Sequence, residues 1–272
     1  MTSAREKEMA RILARRHRVR RFEAVMAQVR SEPSAVLDLG CGIGALTTML
    51  AERFPSALIV GIDRSRYLLS GLQRKRIAST VLGEISALPF RDDFFDLAVT
   101  VQVLHEIISA KGDRVLVETL QNIRETMSQG GEFVIFDHCS PTGDPVLVRF
   151  SKERLGKLRE FQAKFRHRKI TFEDRGEGLV RISRRDFYDF LTKIWALGSD
   201  LEEEEMNETH TPFTRRELEG VLQEASFSVK RITGLTSVGS RKWITLQSKE
   251  TLPKRHILVL AKNDPRAQFG SK

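Results

Sequence analysis

The chain has 272 residues, 40% hydrophobic and 30% charged, enough to bury the core of one ordinary domain with an elaboration or of two small ones. Its 45 Lys and Arg against 36 Asp and Glu leave a net charge of +9, a field that favours anionic partners: nucleic acid, phosphorylated small molecules or an acidic membrane face. No apolar run reaches the roughly 18 residues of a membrane span, and two cysteines cannot build a disulfide framework or a Cys-rich zinc site.

The start, Met1 to Lys7, leads into charged residues with no apolar stretch, so no secretory signal is expected and a cytoplasmic protein is the default. Residues 5 to about 29 read as one amphipathic helix. Met9, Ile12, Leu13, Phe22, Val25, Met26 and Val29 recur at three- and four-residue steps, and Arg15, Arg16, Arg18, Arg20 and Arg21 lie opposite. Such a basic face either grips phosphates or an anionic membrane surface peripherally, or solvates its charges while the apolar stripe packs on a domain; the second is the simpler reading.

After Pro33 short apolar runs alternate with helical stretches. Strands are expected at Ala35–Leu39, Leu58–Ile62, Ala78–Leu82, Phe95–Val101 and Glu132–Phe136. Helices are expected at Ala45–Phe54, from near Ser65, and between Gly112 and Met127. Strands alternating with helices require parallel crossovers, hence an α/β fold with a Rossmann-like, doubly wound sheet.

From about 141 to 212 the alternation stops. The segment reads as helical, basic up to Arg185 and acidic at Glu202–Glu205, where a solvated helix face is expected. An inserted helical cap over the sheet's carboxyl end, on the substrate side, is simpler than a separate domain. Phe161, Phe165, Phe172, Phe187, Tyr188, Phe190 and Trp195 either form that cap's own core or face a cleft. A helix at 214–225 and two strands near 227–236 and 255–262 complete a sheet whose last strand is antiparallel. The expected organisation is thus an N-terminal helix (1–32), a core (33–140), a cap (141–212), the end of the core (213–264) and a tail (265–272).

The chemistry concentrates in Val36-Leu37-Asp38-Leu39-Gly40-Cys41-Gly42-Ile43-Gly44-Ala45. A strand ends in glycines that let the backbone turn sharply, approach a ligand and open a helix whose first amides point at it. The glycines alone also satisfy a dinucleotide fingerprint, and Asp63, ending the second strand, is placed to take both ribose hydroxyls, a device common to adenosine cofactors. Asp38 separates the options: two residues before the first glycine, its charge suits an amino group or sulfonium and would repel a pyrophosphate.

With these residues the sequence resembles the class I S-adenosylmethionine (SAM)-dependent methyltransferases, in the branch with small-molecule and quinone-biosynthesis enzymes. The resemblance runs from about Ala35 to Asp137. It takes in the glycine loop, Val60-Gly61-Ile62-Asp63, the block Gly83 to Phe90, Phe94 to Val99, Val103-Leu104-His105-Glu106 and Gly130 to Ile135. It implies that Gly40, Gly42 and Gly44 line the cofactor loop, with Cys41 packing within it, and that Asp38 faces the methionine end. Asp63 would bind the ribose with Arg64 beside the adenine, Glu84 would contact the adenine amino group, and Ile85 would pack on the ring. Val101 and Gln102 would border the methyl-transfer position, and the product would be S-adenosyl-L-homocysteine.

Methyl transfer from a sulfonium is an in-line displacement, so the protein mainly aligns the acceptor and excludes water. An acceptor that must lose a proton needs a base, and His105, His138 and His210 are the candidates by location. Each has a structural alternative, as a histidine tied to a neighbouring loop. There is no Asn-Pro-Pro-Tyr sequence after the fourth strand and no Pro-Cys partner for Cys139, which argues against amino-base and cytosine C5 methylation; no metal-ligand spacing stands out. The expected function is methyl transfer to an oxygen, nitrogen or carbon of a small apolar or anionic acceptor. RNA methylation through the basic surface and a non-catalytic, partner-binding subunit are the alternatives, and a NAD-dependent oxidoreductase is disfavoured by Asp38.

Overall fold

A computed structural model describes residues 7, 10, 19–235, 245–246 and 256–264. The chain divides into two compact units, Met1–Asp137 with Arg216–Thr233 and Leu258–Lys272, and His138–Arg215 with Gly234–Ile257.

The first unit is built on a seven-stranded sheet. Its strands are β1 (Ala35–Leu39), β2 (Leu58–Asp63), β3 (Ser79–Leu82), β4 (Phe95–Val101), β5 (Met127–His138), β9 (Phe227–Leu235) and β11 (His256–Asn263), in the order β3-β2-β1-β4-β5-β11-β9. The pairs among β1 to β5 are parallel, with Leu39 opposite both Ile62 and Thr100. Every residue of β1 is buried, as a central parallel strand covered on both faces demands. The expected strands and helices of this unit are all present. The helices are α1 (Val19–Met26), α2 (Ala45–Arg53), α3 (Arg66–Lys75), α4 (Leu104–Thr126) and α8 (Arg215–Glu224).

In α1 the apolar stripe Phe22, Val25 and Met26 is buried, with Val29 just beyond. Arg53 of α2 donates to the carbonyl of Met26, the last residue of α1, and at 3.0 Å to that of Val29 beyond it, a cation set against a helix C-terminus. The stretch of the expected helix before Val19, with Met9, Ile12, Leu13, Arg15, Arg16 and Arg18, lies outside the described residues. Gly112, at φ +82° and ψ 177°, is not helical and divides α4 into two helical stretches: the one after it is the helix expected from the periodicity, and the one from Leu104 to the kink was not expected.

The second unit carries the expected helices, α5 (Lys152–Lys164), α6 (Arg184–Lys193) and α7 (Glu202–Asn207), and in addition a four-stranded sheet. Its order is β10-β6-β8-β7, with β6 (Val146–Arg149), β7 (Phe172–Asp174), β8 (Leu179–Ile182) and β10 (Thr245–Leu246), every pair antiparallel. Val146 and Val148 are buried and register with Ile182 and Val180 from more than thirty residues away. This unit is therefore not purely helical as expected: a four-residue alternation is too short to stand out in sequence.

The aromatics of this unit form its own core. Phe150, Phe161, Phe165, Phe187, Tyr188 and Phe190 are buried together, with Phe172 and Trp195 packed against them. Its basic residues are largely engaged at home. Lys164 pairs with Glu160 and Glu202, Arg159 with Asp174, and Arg168 with both Asp186 and Asp189.

The acidic run Glu202–Glu205 departs from the solvated face expected of it. Glu205 is buried and sits 2.9 Å from the ammonium of Lys193, itself fully buried, which also lies 3.1 Å from Glu208. Burial of the lysine requires a partner carboxylate, and the short helix α7 delivers it.

Candidate functional site

The site candidates of the first unit gather where β1, β2 and β4 end at their carboxyl edges, the position at which parallel sheets of this kind take ligands. The loop after β1 turns through Gly40, Gly42 and Gly44 at φ +72°, +55° and +77°, a left-handed run that side chains resist. At two of the glycines a side chain would also have to displace a neighbour. A β-carbon on Gly40 would fall 2.5 Å from Val103 Cγ2, and one on Gly44 would fall 2.6 Å from Leu72 Cδ1. Gly44 then opens α2.

Asp63 organises this loop from the neighbouring strand. One carboxylate oxygen accepts the Gly42 N–H at 2.8 Å, and the other accepts the Ser65 N–H at 2.8 Å. Ser65 in turn caps α3, its hydroxyl accepting the Leu68 N–H. Each carboxylate oxygen retains capacity for a further donor, so the acid can hold the loop and still take hydroxyl groups.

Asp38 lies beneath the loop, 2% exposed, and accepts a hydrogen bond from the Thr47 hydroxyl at 2.6 Å. Burial pushes its carboxyl up to about 7; the bond from Thr47 opposes that rise, and the nearby charge of Asp63 adds to it. Cys41, buried against Leu69 and Leu72, has its thiol pushed up by burial and by both acids, so it remains a neutral packing group.

Around this floor stand the other expected residues. Ile85 is buried, its Cδ1 3.5 Å from where a Gly40 β-carbon would lie. Glu84 is exposed and pairs with Lys111 at 3.4 Å, and Arg64 pairs with Glu106 at 3.8 Å. Val101 ends β4, and Gln102 follows at φ +60°, an uncommon conformation for a residue with a side chain. Its N–H donates to the Phe136 carbonyl at 2.7 Å, and its side-chain carbonyl accepts from the guanidinium of Arg21.

All three candidate histidines are buried. His105 is buried in the first turn of α4, its Nδ1 2.7 Å from Asp137. The other carboxylate oxygen of Asp137 accepts the N–H groups of Val103, Leu104 and His105, so this acid both caps α4 and fixes the imidazole. His138 and His210, in the second unit, stack with ring centroids 4.2 Å apart and planes 6° apart, and His256 lies 4.8 Å from His138. His210 Nε2 is 3.3 Å from Glu208. Glu205, Glu208 and His210 bring ligand atoms within 4.8 Å of one another, a grouping the sequence reading did not single out; the Lys193 ammonium already supplies its positive charge.

Thr47, Asp137 and the contact of Arg21 with Gln102 were not read from sequence. Thr47 carried a signal, a hydroxyl one turn into the helix that follows the glycines. Asp137 acts across 33 residues on Leu104, and Arg21 across 81 on Gln102, separations at which spacing says nothing.

Residues 37–135 match a protein family described as "Methyltransferase domain". The malonyl-[acyl-carrier protein] O-methyltransferase of Geobacter sulfurreducens is 32% identical over 106 residues, 38% of each chain. The trans-aconitate 2-methyltransferase of Streptomyces avermitilis is 42% identical over 57 residues, 20% of this chain and 21% of that one. The chain thus spans less than two fifths of the length of these relatives. Among solved structures, an S-adenosylmethionine-dependent methyltransferase from Mesorhizobium loti superposes with a TM-score of 0.54 at 17% identity, over 88% of this chain and 96% of its own, a likeness of fold.

Proposed function

We propose that this chain, whose residues 37–135 form a domain of the class I S-adenosylmethionine-dependent methyltransferases, transfers the methyl group of SAM to a small acidic acceptor. The observation that carries this reading is Asp38: a buried carboxylate, held by a hydroxyl and beside a second acid, is a place for a cation. SAM brings such a cation, whereas a dinucleotide's pyrophosphate would meet two acids. The loop amides and Asp63 suit the ribose, Ile85 the adenine face, and Asp38 the methionine end.

When bound, SAM supplies a methyl carbon on a sulfonium already activated for displacement, the sulfur keeping the electron pair of the broken bond and leaving as S-adenosylhomocysteine. The chain's own residues then have three tasks. Asp63 and the glycine loop fix the nucleoside, and Asp38 fixes the amino-acid end. The residues that follow β4 line the acceptor's approach. A carboxylate acceptor is already anionic near neutral pH, so no residue has to remove a proton from it. This suits a first unit whose buried histidine, His105, is committed to Asp137. The names of the relatives support the acceptor class: malonyl groups and trans-aconitate are carboxylic acids. Two separate buried thiols, Cys41 and Cys139, suit a reducing cytoplasm.

The test is turnover of methyl-labelled SAM with a panel of acids: a malonyl thioester, trans-aconitate and octanoate, each beside its preformed methyl ester. Label recovered as a methyl ester supports the reading. Binding of SAM with no ester formed from any acid would refute the acceptor class, and failure to bind SAM would refute the methyltransferase reading itself.

A further inference from the structure

We infer that the open edge of the seven-stranded sheet is a dimer interface, at which β3 (Ser79–Leu82) of one copy of the chain pairs antiparallel with β3 of a second. Strand β3 ends the sheet. It pairs in parallel with β2, from Ser79 opposite Val60 to Leu82 opposite Asp63, and among the described residues no strand takes its other side. Such an edge leaves a row of backbone donors and acceptors ready for another strand. The exposed apolar surface gathers at the same place. Leu58, Ile77 and Leu82, at 44%, 41% and 46% exposure, are the large hydrophobic side chains left exposed among the described residues. All three lie at this edge: Leu58 opens β2, Ile77 shortly precedes β3 and Leu82 ends it. Leu58 and Ile77 line one open concavity. Scattered exposed leucines need no explanation, but their confinement to one open sheet edge does.

The sequence of the edge selects a second copy as its occupant. The run Arg76-Ile77-Ala78-Ser79-Thr80-Val81-Leu82-Gly83-Glu84 begins with a base and ends with an acid, each next to apolar residues. Laid parallel on itself, the run sets like charges side by side. Laid antiparallel about a two-fold axis at Thr80, it brings the exposed Arg76 of each copy to the exposed Glu84 of the other. Glu84 lies 3.4 Å from Lys111 through one carboxylate oxygen and has a second oxygen for a guanidinium. This register sets Thr80 against Thr80 and Ala78 against Leu82, pairs that share one face because side chains alternate along a strand. On the other face Ile77 comes over Gly83, whose bare backbone is flanked by Ile62 and Val81. Charges at the ends of an edge strand keep foreign strands off, and here they attract when the self-pair runs antiparallel. The same patch meets itself, so the assembly closes at two copies.

The test is sedimentation velocity of the full chain from about 1 to about 300 µM. A monomer should pass to a dimer with a dissociation constant on the order of tens of micromolar, as a small interface gives. Hydrogen exchange at the Ser79–Leu82 amides should slow over the same range of concentration. Arg76→Glu should weaken the dimer about tenfold or more, by setting acid against acid. The double variant Arg76→Glu, Glu84→Arg should restore it to within about threefold, a recovery that misfolding cannot produce. Ile77→Asp changes an exposed residue, so it should weaken the dimer while the melting temperature of the monomer stays within about two degrees. A chain that stays monomeric to the highest concentration would overturn the inference. So would a dimer that neither Arg76→Glu nor Ile77→Asp weakens, since the copies would then meet elsewhere. A dimer weakened by Arg76→Glu and not restored by the charge exchange would overturn the antiparallel pairing. None of these readouts depends on methyl transfer, so the inference stands or falls apart from the methyltransferase reading.

Discussion

Replacing Asp38 by Asn should stabilise the protein, and more so at high pH. The unfolded carboxyl ionises near its ordinary 3.8, while the folded one keeps its proton to about 7. Between those values the unfolded chain binds fewer protons, so folded stability falls as pH rises from about 4 to about 7 and is level beyond. With each pH unit of that interval costing a little over 1 kcal/mol, the cost in the unaltered chain is about 1–2 kcal/mol at pH 5 and roughly 4 kcal/mol at pH 8. Asn keeps an oxygen for the Thr47 hydroxyl, which donates at 2.6 Å, and has no charge to bury or to set against Asp63. Urea unfolding followed through hydrogen-exchange protection of β1 (Ala35–Leu39) should show Asp38→Asn gaining about 3 kcal/mol more at pH 8 than at pH 5. The same variant should lose affinity for SAM, and the affinity that remains should no longer fall on going from pH 8 to pH 6. Parallel stability curves for the two proteins would refute the claim that Asp38 is a buried acid waiting for a cation.

Two further substitutions probe the two units separately. Asp63→Ala should weaken SAM binding by about 1.5–3 kcal/mol in calorimetry, since it removes the acid that accepts the Gly42 and Ser65 amides and that we propose takes the ribose hydroxyls; unchanged affinity would remove Asp63 from the site. In the second unit, Lys193→Met should cost about 3–5 kcal/mol in urea unfolding by stranding Glu205, and the double variant Lys193→Met, Glu205→Gln should recover part of it. Equal stabilities for the single and double variants would show that the pair is not coupled.

The parallel core was legible in sequence because its signals are local. β1 is five consecutive buried residues bounded by Pro33 and the Gly40 loop, and α3 announces itself with Ser65 at its cap. The cofactor loop was legible for the same reason: glycine, acid and strand end lie within a few residues. What escaped depends on distant partners. β6 and β8 are four residues each and acquire meaning only when Val146 meets Ile182. Glu205 reads as surface because its neighbours are acidic, until Lys193 is placed against it. The start of α4 is set by Asp137, thirty-three residues after Leu104, and the helical stretch before the kink at Gly112 is too short to announce itself. The contact of Arg21 with Gln102 is of the same kind, and it joins the basic N-terminal helix to the end of β4.

The most direct measurement is calorimetric titration of the purified chain with SAM and with S-adenosylhomocysteine, with NADH as a control. The account predicts binding of both sulfur ligands with dissociation constants on the order of micromolar and none for NADH. It also predicts that SAM and its product, which share the amino-acid end assigned to Asp38, both lose affinity when Asp38 is replaced by Asn. A folded protein that binds neither sulfur ligand, or binds NADH in their place, would contradict it.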